Sequence, residues 1–162
     1  MLVKKVVINS SPLIVLFKSQ QAELLPQLFS EILVPIAVWN EVTASGKSDL
    51  STVQLPNVSW ARKVDIANVA PEIVAWDLGK GESEVLSLAW KNPDHVAIVD
   101  DRAARRCAKS LAIVTIGTGG LLLLAKQRGL ISVVTPRLQA LRDAGLWLSD
   151  SLFNLLKQQA GE

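Results

Sequence analysis

The stretch that most constrains the fold is an apolar run at residues 95–99, which is followed directly by Asp100 and Asp101. Nothing in this run needs contact with water, and such runs are typical of strands buried on both faces of a parallel sheet. A helical segment begins after Gly79 and is ended by Pro93, and a basic helical segment follows the aspartates. The stretch therefore predicts a helix–strand–helix unit with two carboxylates at the carboxyl end of its strand.

The rest of the chain repeats this alternation of strands and helices. Strands are predicted at residues 4–9, 31–34 and 112–116, with an edge strand at 146–148, and residues 58–64 form either a short strand or an irregular segment. Helices are predicted at residues 13–18 (capped by Ser11), 21–29, 36–43, 71–76, 121–128, 135–143 and 150–159. Such alternation indicates an α/β fold with a central parallel sheet covered by helices on both faces. Since no linker or repeat interrupts it, residues 1–162 are expected to form a single domain.

The composition is that of a globular protein. Hydrophobic residues make up 49% of the 162 residues and charged residues 20%, and the net charge of +2 is too small to indicate a nucleic-acid partner by itself. Cys107 is the only cysteine, so the chain forms no internal disulfide. The apolar stretches 6–17 and 110–125 are interrupted by polar residues or glycines. They are interpreted as buried core, and the protein is expected to be cytoplasmic, with no membrane partner.

The acidic residues around the central unit have two interpretations. Chemistry in open parallel sheets collects at the carboxyl ends of the strands, where Asp100 and Asp101 lie, and Glu82 begins the preceding helix. Crowded carboxylates repel one another unless a cation compensates, and Mg²⁺ or Mn²⁺ prefers such oxygen ligands. Alternatively, the two aspartates are ordinary helix N-caps and Glu82 is a first-turn acid favoured by the helix dipole. These residues alone leave both interpretations open.

Two further polar residues extend the acidic set. Asn9 ends the first predicted strand, and Glu41 lies on the third predicted helix. If the first and central strands are neighbours, both converge with the acids on one pocket. A histidine-based zinc cluster is excluded because His95 is the only histidine. The phosphate-loop-like sequence at 46–48 and the dinucleotide-like sequence at 117–119 both lack the spacing that those motifs require.

Several segments, taken in order, carry a resemblance to a known family. They are VINSSPLI (7–14), PIAVWNEV (35–42), LGKGESE (78–84), VDDRAAR (99–105), IGTGGLL (116–122) and KQRGLI (126–131). With them the chain resembles a PIN domain of the kind found in VapC-like ribonuclease toxins, and more closely an uncharacterised PIN-like branch of bacteria and archaea. The resemblance implies a PIN-like α/β/α sandwich with a central parallel sheet.

The resemblance also implies a ribonuclease whose acids hold Mg²⁺ or Mn²⁺. Glu41, Glu82 and Asp100 match acidic positions of the pattern, and Asp101 shares or replaces the role of Asp100. Asn9 falls where PIN nucleases usually carry an aspartate, although the closer branch often has asparagine there. The resemblance therefore implies four catalytic residues: Glu41, Glu82, Asp100 and Asp101. It implies four metal ligands: Asn9, Glu41, Glu82 and Asp100.

Substrate contacts are expected beside this set. Arg102, Arg105 and Arg106 follow the pocket on a basic helix and are expected to hold the RNA backbone, together with Ser11. For Arg105 the alternative is an ion pair with Asp101 one helical turn away. By analogy with VapC-like toxins, the partners are RNA, a small antitoxin and a second copy of the chain.

Competing functions belong to other classes. One is a PIN fold that has lost catalysis through Asn9 and binds RNA or protein without cutting it. A more remote one is a nucleotide-binding α/β protein, which the failed glycine motifs disfavour. Metal-dependent cleavage of RNA would distinguish a nuclease from the binding module. A screen for nucleotide binding would test the nucleotide-binding alternative.

Overall fold

A five-stranded, all-parallel sheet forms the centre of the molecule in the computed structural model, which describes residues 5–44 and 49–162. The strand order is β3-β2-β1-β4-β5. The strands are β1 (Lys5–Ile8), β2 (Glu31–Pro35), β3 (Ala61–Val64), β4 (His95–Ile98) and β5 (Thr115–Ile116).

Helices connect and cover the strands. In chain order the described helices are α1 (Ser10–Lys18), α2 (Leu24–Leu28), α3 (Ile36–Val42), α4 (Leu50–Gln54), α5 (Pro71–Val74), α6 (Lys80–Lys91), α7 (Arg102–Ser110), α8 (Thr118–Gln127), α9 (Thr135–Asp143) and α10 (Asp150–Gln159). A 3₁₀ turn (Leu55–Asn57) follows α4. Helix α6 packs on β1, β2 and β4, while α2 contacts β2 and α10 contacts α8. The expected α/β/α sandwich with a central parallel sheet is confirmed.

The order of the strands creates a crevice between β1 and β4. The chain runs outward from β1 through β2 to β3, then crosses to β4 on the other side of β1 and continues to β5. Strands β1 and β4 are paired in register, with Ile8 opposite Ile98, and the backbone N–H of Asn9 donates to the carbonyl of Ile98 over 3.1 Å. The residues that directly follow these two strands therefore meet at the point where parallel α/β folds bind ligands.

The core lies on both faces of β1 and β4. Every residue of β4 is buried, and so are the last three residues of β1. Helix α6 buries Val85, Leu86, Leu88 and Ala89, which recur at helical spacing on its inner side. The helix–strand–helix unit predicted around Asp100 and Asp101 is confirmed as α6, β4 and α7.

Several local predictions are wrong or incomplete. Residues 146–148 form no strand: Leu146 is buried, but Trp147 is 80% exposed and pairs with no strand of the sheet. Asn9, not Ser11, occupies the N-cap position of α1, which begins at Ser10. The strand predicted at 112–116 is confined to Thr115–Ile116, and the helix α4 was not predicted. The sequence at 46–48 lies outside the described residues.

The final helices agree with their predictions. Helix α9 begins and ends at the predicted residues. Ser149 caps α10, with its side-chain oxygen accepting a hydrogen bond from the backbone N–H of Leu152 over 3.1 Å. Within the part of the chain that the structure describes, every helix is too short or too polar to cross a bilayer.

Candidate active site

Asn9 lies at the centre of the crevice, directly after β1. Its side chain is 97% buried, since only 3% of its surface is exposed. Among the described residues its side-chain oxygen, Oδ1, has no hydrogen-bond partner. An unsatisfied buried polar atom costs about 1–3 kcal/mol, so such an atom in a native fold requires an explanation. A ligand that binds to Oδ1 provides one.

Glu41 faces the same region from α3. Its Oε2 accepts a hydrogen bond from the Ser10 hydroxyl over 2.9 Å, and Ser10 is the buried first residue of α1. This bond crosses 31 positions of sequence and joins α1 to α3 beside Asn9. One carboxylate oxygen of Glu41 is therefore held in a fixed place while the side chain keeps contact with solvent.

Gly81 brings the backbone of α6 close to both of these oxygen atoms. A methyl group added at Gly81 would lie 3.3 Å from Oδ1 of Asn9, 3.5 Å from Oε2 of Glu41 and 3.3 Å from Cγ2 of Val38. Two oxygen donors thus border one small volume over the first turn of α6. A side chain at residue 81 would fill this volume.

The two glutamates of α6 have different surroundings. Glu82 is half-buried, and its carboxylate occupies the space that a side chain at Gly79 would need. Its position in the first turn of the helix agrees with stabilisation by the helix dipole. Glu84 is buried, and its Oε1 accepts the backbone N–H of Ala37 over 3.1 Å. Glu84 therefore fixes the start of α3, the helix that carries Glu41.

Asp100 is held by the start of α8. Its Oδ1 accepts the backbone N–H of Thr118 over 2.8 Å, and its Oδ2 accepts the hydroxyl of Thr118 over 2.6 Å. Thr118 is completely buried and is the first residue of α8, although the sequence places a turn there. The carboxylate of Asp100 is consequently oriented through both of its oxygen atoms.

Asp101 has a separate structural role. It occupies the N-cap position of α7, and its Oδ2 accepts the backbone N–H of Ala104 over 2.9 Å. The N-cap interpretation of the sequence therefore applies to Asp101. Its other carboxylate oxygen makes no hydrogen bond that restrains it within the described residues, and the residue is exposed at the mouth of the crevice.

The basic face of α7 carries positive charge without ion-pair partners. Arg102, Arg105 and Arg106 are exposed, and none lies within 4.0 Å of a carboxylate in the described parts of the chain. The alternative pair between Arg105 and Asp101 is thus not formed. Instead, Arg105 approaches Gly117. A methyl group added at Gly117 would lie 2.8 Å from Nη1 of Arg105 and would also be close to Oδ1 of Asp100. These guanidinium groups are available to bind an anion.

The predicted metal ligands share one edge of the sheet but do not form a tight cluster. Across residues 5–44 and 49–162, no group of three or more histidine, cysteine, aspartate or glutamate side chains is close enough to hold a metal ion. The donors that do gather are oxygen atoms, of the type that Mg²⁺ and Mn²⁺ prefer. The unpaired buried oxygen of Asn9 and the nearby Oε2 of Glu41 fit a bound cation. The carboxylate of Glu82 lies beside Gly79 and that of Asp100 bonds to Thr118, so the described contacts bring neither of them to this pair.

A family model for DUF3368, described as a PIN domain, matches residues 5–162. The chain belongs to the PIN-domain family. The resemblance to a PIN domain expected from the ordered motifs is therefore confirmed. PIN domains are generally nucleases and generally use divalent metal ions. No curated protein matches the sequence significantly.

Sequence reasoning missed three residues of this PIN-domain site. Ser10 and Thr118 hold the carboxylates of Glu41 and Asp100, and Gly81 leaves the space between the donors. All three belong to segments that carry the family resemblance, which was the only signal available for them. Ser11, predicted to bind substrate, is exposed on α1 and remains a prediction.

Proposed function

We propose that residues 1–162 form a single domain that hydrolyses RNA phosphodiester bonds with the help of Mg²⁺ or Mn²⁺. The observation that carries this proposal is the pair of oxygen atoms beside Gly81, the unpaired Oδ1 of Asn9 and Oε2 of Glu41. Membership of the PIN-domain family supports a nuclease.

The metal would be held by Asn9, Glu41, Glu82 and Asp100. Once bound, such an ion polarises a phosphate oxygen and lowers the pKa of a coordinated water. Ser10 orients Glu41 through its hydroxyl, and the carboxylates of Glu82 and Asp101 are available to accept a proton from the attacking water.

The RNA backbone would lie along α7. Arg105 flanks Asp100 at the crevice, and Arg102 and Arg106 extend the positive surface along the same helix. Because they lack carboxylate partners among the described residues, binding a phosphate would not require breaking an ion pair. Arginine is well suited to this role because its planar fork donates to two phosphate oxygens.

Cleavage of a mixed pool of structured and single-stranded RNA tests the reaction. The protein would be assayed with Mn²⁺, with Mg²⁺ and with EDTA, alongside Asp100→Ala and Glu41→Ala. Cleavage that requires metal and is lost in both variants is expected. Equal cleavage by wild type and both variants would point to a contaminating nuclease and contradict the proposal.

The salt dependence of RNA binding tests the α7 surface independently of cleavage. With EDTA present, the triple variant Arg102→Gln, Arg105→Gln, Arg106→Gln should bind a fluorescent single-stranded RNA more weakly. The slope of log affinity against log salt should fall by about 2, since each phosphate contact contributes about 0.7. A control that replaces Arg62, Lys91 and Lys157 with glutamine removes the same charge from other elements. An equal loss in both variants would show only a net-charge effect and contradict the assignment of α7.

A second candidate is a PIN fold that binds RNA without cutting it. One observation favours it: Asn9 is neutral, where PIN nucleases usually carry an aspartate. Retained RNA binding along α7 without any metal-dependent cleavage would support this candidate over the nuclease.

The physiological role follows from the resemblance to VapC-like toxins. In this proposal the protein is a cytoplasmic toxin that forms a homodimer and is neutralised by a small antitoxin. Growth arrest on expression of the wild type, but not of Asp100→Ala, would support the toxin role.

A further inference from the structure

Thr118 binds both carboxylate oxygens of one acidic residue and is itself completely buried. Its backbone N–H and its hydroxyl reach the two oxygens of Asp100 over 2.8 Å and 2.6 Å. Hydrogen bonds of this length to an ionised carboxylate belong to the strong, charge-assisted class. A carboxylate accepts about four hydrogen bonds or metal bonds, so each oxygen of Asp100 still has a free lone pair.

We propose that Thr118 is the positioning residue for Asp100 in metal binding, an inference that rests on the proposed function. The hydroxyl fixes the rotation of the carboxylate, so the free lone pairs keep one direction before the ion arrives. Partners that orient a metal-binding carboxylate typically contribute about 10–100-fold to metal affinity. The Gly-Thr-Gly sequence at 117–119 does not match a nucleotide-binding motif. In this proposal its function is to hold Thr118 against Asp100.

The neighbours of Thr118 keep it in place. On one side, Gly117 lacks a side chain where Arg105 and Asp100 approach. On the other, a methyl group at Gly119 would lie 2.6 Å from Cδ1 of Leu156, so α10 packs directly on the start of α8. The backbone on both sides of Thr118 is therefore closely surrounded, and the hydroxyl itself is held by its bond to Asp100.

A purely structural role is the competing explanation. By bonding to Asp100, Thr118 also ties the start of α8 to the end of β4, and loss of this tie alone would lower stability without changing metal affinity. A matched pair elsewhere in the chain separates the two effects. Thr135 begins α9, and its N–H and hydroxyl both donate to Oε1 of Glu162, over 2.9 Å and 2.6 Å.

Calorimetric titration with Mn²⁺ and urea unfolding, performed on the full chain, test the role. Thr118→Val keeps the size and the backbone N–H but removes the hydroxyl, and its Kd for Mn²⁺ should rise about 10–100-fold. Thr118→Ser keeps the hydroxyl and should recover most of that affinity. Thr135→Val should lower stability by a smaller amount, since its bond to Glu162 is exposed, while the Kd for Mn²⁺ stays at the wild-type value. Thr118→Ala serves as a second variant if valine prevents folding.

The outcomes distinguish this role from the proposed function itself. If wild type binds Mn²⁺ and folded Thr118→Val or Thr118→Ala binds it equally well, the positioning role is refuted while the metal site stands. If Thr118→Ser loses as much affinity as Thr118→Val, the hydroxyl is not the cause and the role is also refuted. If wild type itself binds no Mn²⁺, the metal site and the role of Thr118 fail together.

Discussion

Replacing Gly81 with alanine should separate metal affinity from stability. The added methyl group would lie 3.3 Å from Oδ1 of Asn9 and 3.5 Å from Oε2 of Glu41. A Mg²⁺ ion needs its oxygen ligands at about 2.0–2.1 Å, so the methyl group and a shared ion would compete for one volume. We expect the Kd for Mn²⁺ to rise at least about 10-fold, which corresponds to about 1.4 kcal/mol.

Stability should change much less than affinity. Alanine is about 1 kcal/mol more favourable than glycine inside a helix, and Gly81 lies in the first turn of α6. The contact with Cγ2 of Val38, also 3.3 Å, requires a small shift and offsets part of this gain. The free energy of unfolding is therefore expected to stay within about 1 kcal/mol of the wild type.

Titration calorimetry with Mn²⁺ and urea unfolding would measure the two quantities on the same samples. Gly120→Ala is a matched control. Gly120 lies in a different helix, α8, and its added methyl group would meet Cγ1 of Ile116 at 3.2 Å, away from the oxygen atoms of Asn9 and Glu41. The reasoning is refuted if Gly81→Ala binds Mn²⁺ as tightly as the wild type, or if Gly120→Ala weakens binding equally.

Two further predictions concern single charges. Asn9→Asp should tighten Mn²⁺ binding by about 10-fold and, without metal, lower the melting temperature because an added carboxylate would be buried; calorimetry that detects no gain in affinity would exclude Asn9 as a ligand. The pKa of the Glu162 carboxyl is lowered by hydrogen bonds from Lys126, then from the Thr135 hydroxyl and the backbone N–H groups of Val134 and Thr135. Its ionised form therefore stabilises the fold above the ordinary pKa near 4.5, and this contribution is lost as the pH falls below it. The difference in melting temperature between wild type and Glu162→Gln should accordingly be largest near neutral pH and shrink in acid; a difference that is constant with pH would contradict it.

Local patterns were sufficient to predict most of the fold. The apolar runs of β1, β2 and β4 are short, and polar residues or proline mark the change from each run to the helical segment that follows it. Ser149 caps α10 as its sequence predicts, and Pro136 lies in the first turn of α9, but Val134 rather than Thr135 occupies the N-cap position of α9. These signals depend only on neighbouring residues, so they can be read from the sequence without knowledge of the tertiary structure.

Predictions failed where tertiary packing decides the structure. Residues 146–148 are as apolar as a strand, yet only Leu146 reaches the core, and Trp147 is exposed. The edges of the sheet are formed by β3 and β5, and the run pairs with neither of them. Helix α4 is short, with Leu50 and Val53 exposed. It packs against α1, a contact that no local pattern indicates.

The doubled acid at the end of β4 illustrates the same limit within the site. Asp100 and Asp101 are equivalent in the sequence, and either is a plausible metal ligand or helix cap. Their roles diverge only because β5 and α8 bring Thr118 beside Asp100, while the start of α7 uses Asp101. Residue types were therefore predictable from the sequence, but the assignment of each carboxylate depends on a partner 18 residues away.

Asn9 is best understood together with these carboxylates. An aspartate at this position would be buried like Asn9, and its charge would be costly to desolvate and would be repelled by the nearby carboxylate of Glu41 without a cation. Asparagine keeps an oxygen directed at the same space but removes that repulsion. Under the proposed function, we expect asparagine to stabilise the metal-free fold and to lower the affinity for a divalent ion. Asn9→Asp should therefore shift stability and affinity in opposite directions, whereas a residue with no connection to the metal would shift stability alone.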